Sequence, residues 1–358
     1  MSGPGRVVIA GGGTGGHVFP ALALAEALAG AGADVQMIGT AAGLEARVVP
    51  GAGYPLHVVS GAPVRGGGAR RAIGGVAAAL RGARTARQLL VRLHPSVVVG
   101  VGGYASVAAV LAARSLRLPT LLQEQNAIPG LANRLLGRLS DRICLGFASA
   151  ARFFPAGRAV HTGNPIRAAV LRGSGRGTDL LVFGGSQGAR RINQAMVAVL
   201  PQLRAALAGA GILHQTGAGE IDEVRRAYEA AHVTADVRAF IDDMGSAYGR
   251  AALVVSRAGA MSCAEITARG LPAVLVPYPH AADDHQRFNA AAVVDAGAAE
   301  MILDAALDGP TLLRAVTGLL GDAARLARMA AASRTVGRPD AAARVAEHVS
   351  ALAATAGS

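Results

Sequence analysis

The sequence predicts an α/β protein built as two doubly wound domains in tandem, and three observations predict it. Short apolar runs alternate with alanine-rich segments of helical spacing through both halves of the 358-residue chain, the pattern of parallel sheets joined by crossover helices. A glycine turn, GGGTGGHVFP (11–20), follows the first apolar run, and a second, GGSQGARRIN (184–193), follows the run DLLVF in mid-chain. With 52% hydrophobic and 16% charged residues, the composition supplies two buried cores and excludes disorder.

The elements follow in order. VVIA (7–10), VQMI (35–38), SVVVGV (96–101), TLLQE (120–124) and RICLG (142–146) are strands of the first domain. LLVF (180–183), ILHQT (212–216), VRAFI (237–241), LVVS (253–256) and AVLVP (273–277) are strands of the second. ALALAEALAGAGA (21–33) and INQAMVAVLPQLRAALAGAGI (192–212) supply crossover helices. Turn residues cluster in HTGNPIRAAVLRGSGRGTD (161–179), which places the first domain at 1–162, the second at 163–340, and a final helix at 341–358 able to pack back on the first. Open α/β sheets bind ligands beyond the carboxyl ends of their strands. Two such domains are therefore expected to face a cleft walled by the glycine turns.

The opening MSGPGRVVIAGGG lacks the apolar core and cleavage site of a signal peptide. The uncharged run 93–113 is broken by Pro95, Gly100, Gly102 and Gly103 and reads as strand, turn and helix rather than a membrane span. All 35 cationic side chains are arginine, against 23 acids, leaving a formal charge of +12. Such a balance favours phosphates, acidic membrane or nucleic acid as partners. A general drift of composition toward Ala, Gly and Arg explains it equally well, so placement must decide. Cys144 and Cys263 lie in different halves and form neither a disulfide framework nor a metal spacing, which fits a reducing compartment.

Gly11, Gly13 and Gly16 satisfy G-x-G-x-x-G between a strand and a helix. Without Cβ atoms, peptide N–H groups can approach a phosphate that the helix N-terminus also attracts. A dinucleotide site needs an acid after the second strand, where VQMIGT ends in Gly39 and Thr40, and a P-loop needs a lysine that this chain lacks. In the second turn Ser186 aligns with Thr14, and a third turn, VGVGGYAS (99–106), offers Tyr104 and Ser106. Three such turns imply two separately held diphosphates.

The stretch SRAGAMSCAEITARGLPAVLVPYPHAADDHQRFNA (256–290) is dense in polar groups. Gly259 leads into a helix whose first turn is expected to carry Glu265, and Asp283, Asp284, His285, Gln286 and Asn289 follow the next strand. Glu265 reads either as a helix-dipole partner or as an acceptor for sugar hydroxyls. His17 reads either as a local cap or as a base that takes a proton from an attacking hydroxyl. Because Asp-x-Asp is absent, a metal-dependent transfer site is unsupported. No metal or cofactor is expected; helix dipoles and arginine would stabilise a leaving diphosphate.

These residues resemble the MurG family of bacterial peptidoglycan synthesis, through GGTGGHVFPALALAEAL, GTAAGLEARVVP, VVGVGGYASV, EQNAIPGLANR, GNPIR, FGGSQGARRIN, FIDDM, SRAGAMSCAEI and GLPAVLVPYPHAADDHQRFNA, in that order along nearly the whole chain. The resemblance implies a two-domain GT-B glycosyltransferase that transfers GlcNAc from UDP-GlcNAc, with inversion, to the C4 hydroxyl of MurNAc-pentapeptide in lipid I, giving lipid II. It implies that Ile241 meets the uracil, Glu265 the ribose, and Ala260, Met261, Ser262, Cys263 and Ala264 the diphosphate through peptide N–H groups. Ser186 and Arg167 assist the phosphates, Gln286 and Asn126 read the GlcNAc, and Thr14, Gly15 and Gly16 approach the sugar. Gly13, His17, Gly103 and Tyr104 fall on the acceptor side, with His17 as candidate base.

Gln123 stands before EQN where some members carry His, and Ser262 replaces a more usual Thr. The family places a membrane patch in the region matching 62–93. Here Ile73, Val76 and Leu80 lie among Arg65, Arg70, Arg71, Arg81, Arg84 and Arg87 with no aromatic residue, so anionic lipid is the implied partner and a solvated helix face the alternative. Peripheral attachment at the cytoplasmic face of the plasma membrane follows, with other cell-wall synthesis proteins as further partners and no nucleic acid. A different GT-B transferase acting on a lipid or natural product, a nucleotide-dependent oxidoreductase, and a noncatalytic phosphate-binding protein are the alternatives.

Overall fold

The computed structural model describes residues 4–59, 69–173, 177–185, 187–207 and 209–356, with backbone only for 69–80 and 356. The chain divides into two compact units, Met1–Arg167 with Asp340–Ser358, and Ala168–Pro339. Each is a parallel sheet flanked by helices.

Among the described residues, the first sheet contains β1 (Arg6–Ala10), β2 (Asp34–Gly39), β3 (Leu56–Val58), β4 (Val97–Gly100), β5 (Thr120–Glu124), β6 (Arg142–Leu145) and β7 (Ala159–His161), in the order β3-β2-β1-β4-β5-β6-β7. The second contains β8 (Asp179–Phe183), β9 (Ile212–Gln215), β10 (Asp236–Arg238), β11 (Ala251–Ser256), β12 (Ala273–Leu275) and β13 (Ala299–Met301), in the order β10-β9-β8-β11-β12-β13. Strand order reverses between β1 and β4 in one sheet and between β8 and β11 in the other, the switch points where open α/β sheets take their ligands. Ala10 pairs with Gly100, and Phe183 with Ser256, so the two turns at each switch point start level.

The central strands are apolar along their whole length because helices cover both faces: Val7, Val8, Ile9, Val97, Val98 and Val99 are all inaccessible to solvent. Alanine lets the helices sit close. Ala105, Ala108, Ala109 and Ala112 of the helix Tyr104–Ser115 pack with Ala86, Leu89 and Leu90 in one cluster. The C-terminal helix Ala341–Ala356 belongs to the first unit, where Val345, Ala346 and Val349 share a core with Leu22, Ala25 and Leu28 of the helix Gly15–Gly30.

The run 237–241 contributes a strand only over Asp236–Arg238, while β3, β7 and β13 are three-residue edge strands that alternation did not reveal. The chain passes between units at Arg167 and Ala168 rather than at 162 and 163. The reason is local bonding: Gly163 N–H donates to Leu145 O at 3.0 Å and Asn164 Nδ2 to Gln125 O at 2.9 Å, which ties GNP to the first sheet. No helix among the described residues is long and apolar enough to cross a membrane.

Candidate active site

In the first unit, β1 runs into the turn 11–14 and the helix Gly15–Gly30, with Thr14 at the N-cap in extended geometry and making no side-chain capping bond. The expectation that this turn offers its peptide N–H groups to a phosphate needs correction at Gly13. That N–H donates to Glu45 Oε2 at 2.8 Å. Glu45 is only 1% exposed and also accepts from Thr40 N at 2.9 Å and Thr40 Oγ1 at 2.7 Å. Burial alone would push its pKa up, but the bonds from Gly13 and Thr40 outweigh that, and the net shift is downward. An acid does reach the end of β2, then, but it faces inward toward the turn.

The turn after β4 interlocks with the first. Gly102 (φ +104°) and Gly103 (φ +79°) both adopt backbone conformations that favour glycine. A Cβ at Gly102 would lie 2.7 Å from His17 Nε2, and one at Gly103 would lie 2.5 Å from Gly12 O. The imidazole of His17 thus occupies space that Gly102 leaves open, and its Nδ1 lies 3.3 Å from Gly12 O. Tyr104 opens the helix that follows; burial raises its phenol pKa against the opposing pull of Arg81. Ser106 is buried rather than presented.

Asn126, after β5, is held by buried Glu124: its N–H donates to Glu124 Oε1 at 2.8 Å, and Asn133 Nδ2 donates to Oε2 at 2.7 Å. Burial drives the Glu124 pKa up despite these donors. Arg167 is the last residue of the first unit before the chain enters the second, and its guanidinium stacks 4.6 Å from the centroid of the Phe19 ring. Thr14, Gly15, Gly16, His17, Gly103, Tyr104, Asn126 and Arg167 therefore all belong to this unit.

The second unit carries the remaining candidates. Ser186 lies outside the described residues. The helix after this turn begins at Arg190, four residues beyond position 186, whereas Thr14 directly precedes its helix, so the two turns are not equivalent. After β11, Gly259 caps the helix Ala260–Ala268 with no side-chain capping bond. Cys263 N–H already donates to Gly259 O at 2.9 Å, which restricts the anion-facing donors to the first turn, Ala260 to Ser262, and withdraws Cys263 and Ala264. Burial pushes the Cys263 thiol up to about 12, so it carries no nucleophile.

Glu265 sits in the second turn of this helix, not the first, and accepts from the hydroxyl of fully buried Tyr248 at 3.0 Å. Gln286 Oε1 accepts from Tyr278 N at 3.0 Å, which fixes the end of its side chain. Asn289 is buried and donates to Ala258 O at 3.2 Å, a structural part of the β11 turn. Ile241 is 3% exposed while neighbouring Phe240 is 49% exposed, so a base here would meet Phe240 or the backbone rather than the Ile241 side chain.

Three further residues escaped sequence reasoning. Arg257 donates to Asp304 at 2.6 Å and to the carbonyls of Val276 and Pro277, and Arg191 reaches the same carboxylate at 3.1 Å. With Gly184, Gly188 and Gln286 they line a cleft of about 500 Å³ at the carboxyl ends of β8, β11 and β12. Two arginines on one acid leave a positive wall where a diphosphate would lie.

Two Rossmann-like units with glycine turns at both switch points have the GT-B architecture, and the sequence matches place the chain among the glycosyltransferases of that class. Residues 7–145 match the glycosyltransferase family 28 N-terminal domain and residues 179–345 the family 28 C-terminal domain. The chain is 45% identical over 348 residues to a UDP-N-acetylglucosamine--N-acetylmuramyl-(pentapeptide) pyrophosphoryl-undecaprenol N-acetylglucosamine transferase of Geobacter metallireducens, covering 94% of this chain and 96% of the relative. It is 46% identical to the enzyme of the same name from Anaeromyxobacter sp. strain K, covering 96% and 91%. The crystal structure of Acinetobacter baumannii MurG superposes with a TM-score of 0.79 at 32% identity, covering 96% of this chain and 98% of that one. The chain belongs to the MurG family within glycosyltransferase family 28.

Proposed function

We propose that the protein transfers GlcNAc from UDP-GlcNAc to the C4 hydroxyl of MurNAc in undecaprenyl-pyrophosphoryl-MurNAc-pentapeptide, with inversion at the anomeric carbon. The observation that carries this reading is 45% identity across 94% of the chain to a transferase bearing that name. The site chemistry supports it. In the second unit, first-turn N–H groups of the helix Ala260–Ala268 and the Arg257 and Arg191 wall take the UDP diphosphate, and Glu265 takes the ribose hydroxyls. Phe240 and the Ile241 backbone meet the base, and Gln286 with Asn126 reads the GlcNAc. Ser186 and Arg167 assist the phosphates.

On the first unit, Thr14, Gly15 and Gly16 approach the sugar, while Gly103 and Tyr104 receive the acceptor. His17 removes the proton as the C4 oxygen attacks C1 from the face opposite UDP. The bond to UDP breaks as the new bond forms, and the diphosphate leaves with its charge met by peptide N–H groups and arginine. The exposed face bearing Arg81, Arg84 and Arg87 holds the protein to anionic lipid at the cytoplasmic membrane surface, where the acceptor resides. Arg65 lies outside the described residues, as do the side chains of Arg70, Arg71, Ile73, Val76 and Leu80.

The test is UDP release from UDP-GlcNAc in EDTA, with and without a short-chain lipid I analogue. Acceptor-dependent release yielding a β-linked disaccharide is expected. Absence of release while UDP-GlcNAc still binds would overturn the acceptor assignment.

A further inference from the structure

Glu45 has no part in the chemistry above, yet it is built into the first unit with care. A carboxylate that is 1% exposed must be met by donors or it would neutralise. Glu45 has three, from Gly13 N, Thr40 N and Thr40 Oγ1. Its chamber exists because Gly12, Gly39 and Gly43 lack side chains; a Cβ at any of them would collide with the Glu45 side chain.

The donor from Gly13 belongs to the peptide group that joins Gly12 to Gly13. The carbonyl of that same peptide, Gly12 O, lies 3.3 Å from His17 Nδ1. A carbonyl oxygen can only accept, so Nδ1 bears the hydrogen and the basic lone pair of the neutral ring falls on Nε2. Hydrogen bonds in series polarise one another. A carboxylate drawing on the N–H end of an amide makes its C=O end a stronger acceptor for Nδ1–H.

We propose that Glu45 is a positioning residue that acts through the Gly12–Gly13 peptide to hold His17 as its Nδ1–H tautomer, with Nε2 directed to take the acceptor's proton. The inference rests on the reading of His17 as the base. Its logic is that of a histidine oriented by an acid, with one peptide group interposed. When Nε2 gains the proton, the imidazolium faces a carbonyl whose amide is anchored on a buried negative charge. Glu45 bonds to the turn that carries His17 and to Thr40, and none of the second-unit residues proposed to take UDP is among these partners, so affinity for UDP-GlcNAc should be nearly indifferent to it.

The first measurement is the ¹⁵N shifts of the His17 imidazole and the amide proton shift of Gly13 in the unaltered protein. A protonated Nδ1, a pyridine-like Nε2 and a Gly13 proton shifted downfield are expected; an Nε2–H tautomer or an ordinary Gly13 shift overturns the relay. The second uses Glu45→Gln, which preserves shape but cannot present acceptors to both Gly13 and Thr40. It should lower kcat by about tenfold or more, the scale seen when an orienting partner is removed. KM for UDP-GlcNAc should stay within about twofold while the His17 tautomer ratio moves toward Nε2–H. A folded Glu45→Gln protein with unchanged kcat and tautomer overturns the proposal, as does an equal loss of donor affinity and kcat. Should Glu45→Gln fail to fold, the shifts of the unaltered protein decide. Should the unaltered protein transfer nothing to the lipid I analogue, the assigned reaction fails while the tautomer measurement still decides the relay.

Discussion

The hydroxyl of Tyr248 donates to Glu265 Oε2 at 3.0 Å, from a side chain that is 1% exposed and packed edge-on to Phe183 at 6.1 Å between ring centroids. This bond fixes one oxygen of the carboxylate proposed to take the ribose hydroxyls. Tyr248→Phe keeps the packing and removes the donor. It should weaken UDP-GlcNAc binding by about three- to tenfold, the equivalent of one hydrogen bond, with little change in thermal midpoint. Glu265→Ala, which removes both oxygens, should weaken it on the order of 100-fold. Calorimetric titration with UDP-GlcNAc measures both, and a Glu265→Ala protein that binds as tightly as the wild type would remove Glu265 from the donor site.

His17 and Gly102 form a second testable pair. Gly102→Ala imposes a side chain at φ +104° and places its Cβ 2.7 Å from His17 Nε2. The backbone strain should cost about 1–2 kcal/mol of stability, and displacement of the imidazole should lower kcat by at least about 100-fold, as removal of a general base does. His17→Ala should lower kcat comparably while leaving the thermal midpoint nearly unchanged and UDP-GlcNAc affinity intact. If Gly102→Ala is fully active, the close approach of these two turns is irrelevant to turnover.

The pKa of Glu45 lies below its ordinary 4.5 in the folded protein, because bonds from Gly13 and Thr40 outweigh the effect of burial. A depressed carboxyl pKa adds stability that is fully present above the unfolded value and is lost as pH falls through the folded one. The wild type should therefore exceed Glu45→Gln in stability near neutrality by roughly 1–3 kcal/mol. That gap should shrink as pH drops below about 4.5. Urea unfolding midpoints between pH 7 and pH 3 would show it; a gap that widens in acid would contradict the shift.

Much of this arrangement was legible in the residues. β1, β4, β8 and β11 could be read because buried parallel strands are apolar without interruption, and the turns after them because glycine marks where backbone must bend or come close. The edge strands Leu56–Val58, Ala159–His161 and Ala299–Met301 were not, since three residues with mixed exposure carry no period. The partner of the Gly13 N–H was hidden for a different reason: Glu45 lies 32 residues further along, and only folding brings it beneath the turn. The helix begins at Ala260, directly after Gly259, and at about 3.6 residues per turn Glu265 falls in its second turn rather than its first. Arg191 lies on a helix, Arg257 in the turn after β11 and Asp304 in a 3₁₀ turn after β13, and no local spacing joins them.

Asp304 is 9% exposed and binds Arg257, itself 11% exposed in its side chain, together with Arg191. Removing one partner of a buried ion pair leaves the other charge uncompensated. Asp304→Ala should cost about 3 kcal/mol of stability, whereas Asp304→Asn, which retains an acceptor, should cost about 1–2 kcal/mol. Denaturant titration measures both losses. The freed guanidiniums should also bind UDP less specifically, so inorganic pyrophosphate should compete with UDP-GlcNAc better than it does in the wild type. An Asp304→Ala protein as stable as the wild type would show that the two arginines find other partners at no cost.

Arg81, Arg84 and Arg87 recur at three-residue spacing on the helix Ala69–Leu93 and are exposed, so they share a face of the helix. Arg81 lies close enough to Tyr104 to pull its phenol pKa downward, which puts this basic stripe beside the turn proposed to receive the acceptor. Each arginine near an anionic bilayer contributes about 1 kcal/mol of attraction. Reversing all three to glutamate should therefore lower partitioning onto vesicles containing phosphatidylglycerol by at least about 100-fold. Raising the salt from about 0.1 to 0.5 M should weaken the wild type in the same direction, since the interaction decays within a Debye length. Neutral phosphatidylcholine vesicles should bind neither protein strongly. If the triple variant sediments with anionic vesicles as well as the wild type does, attachment rests on residues outside this stripe, and the orientation it implies for Tyr104 toward the membrane must be abandoned.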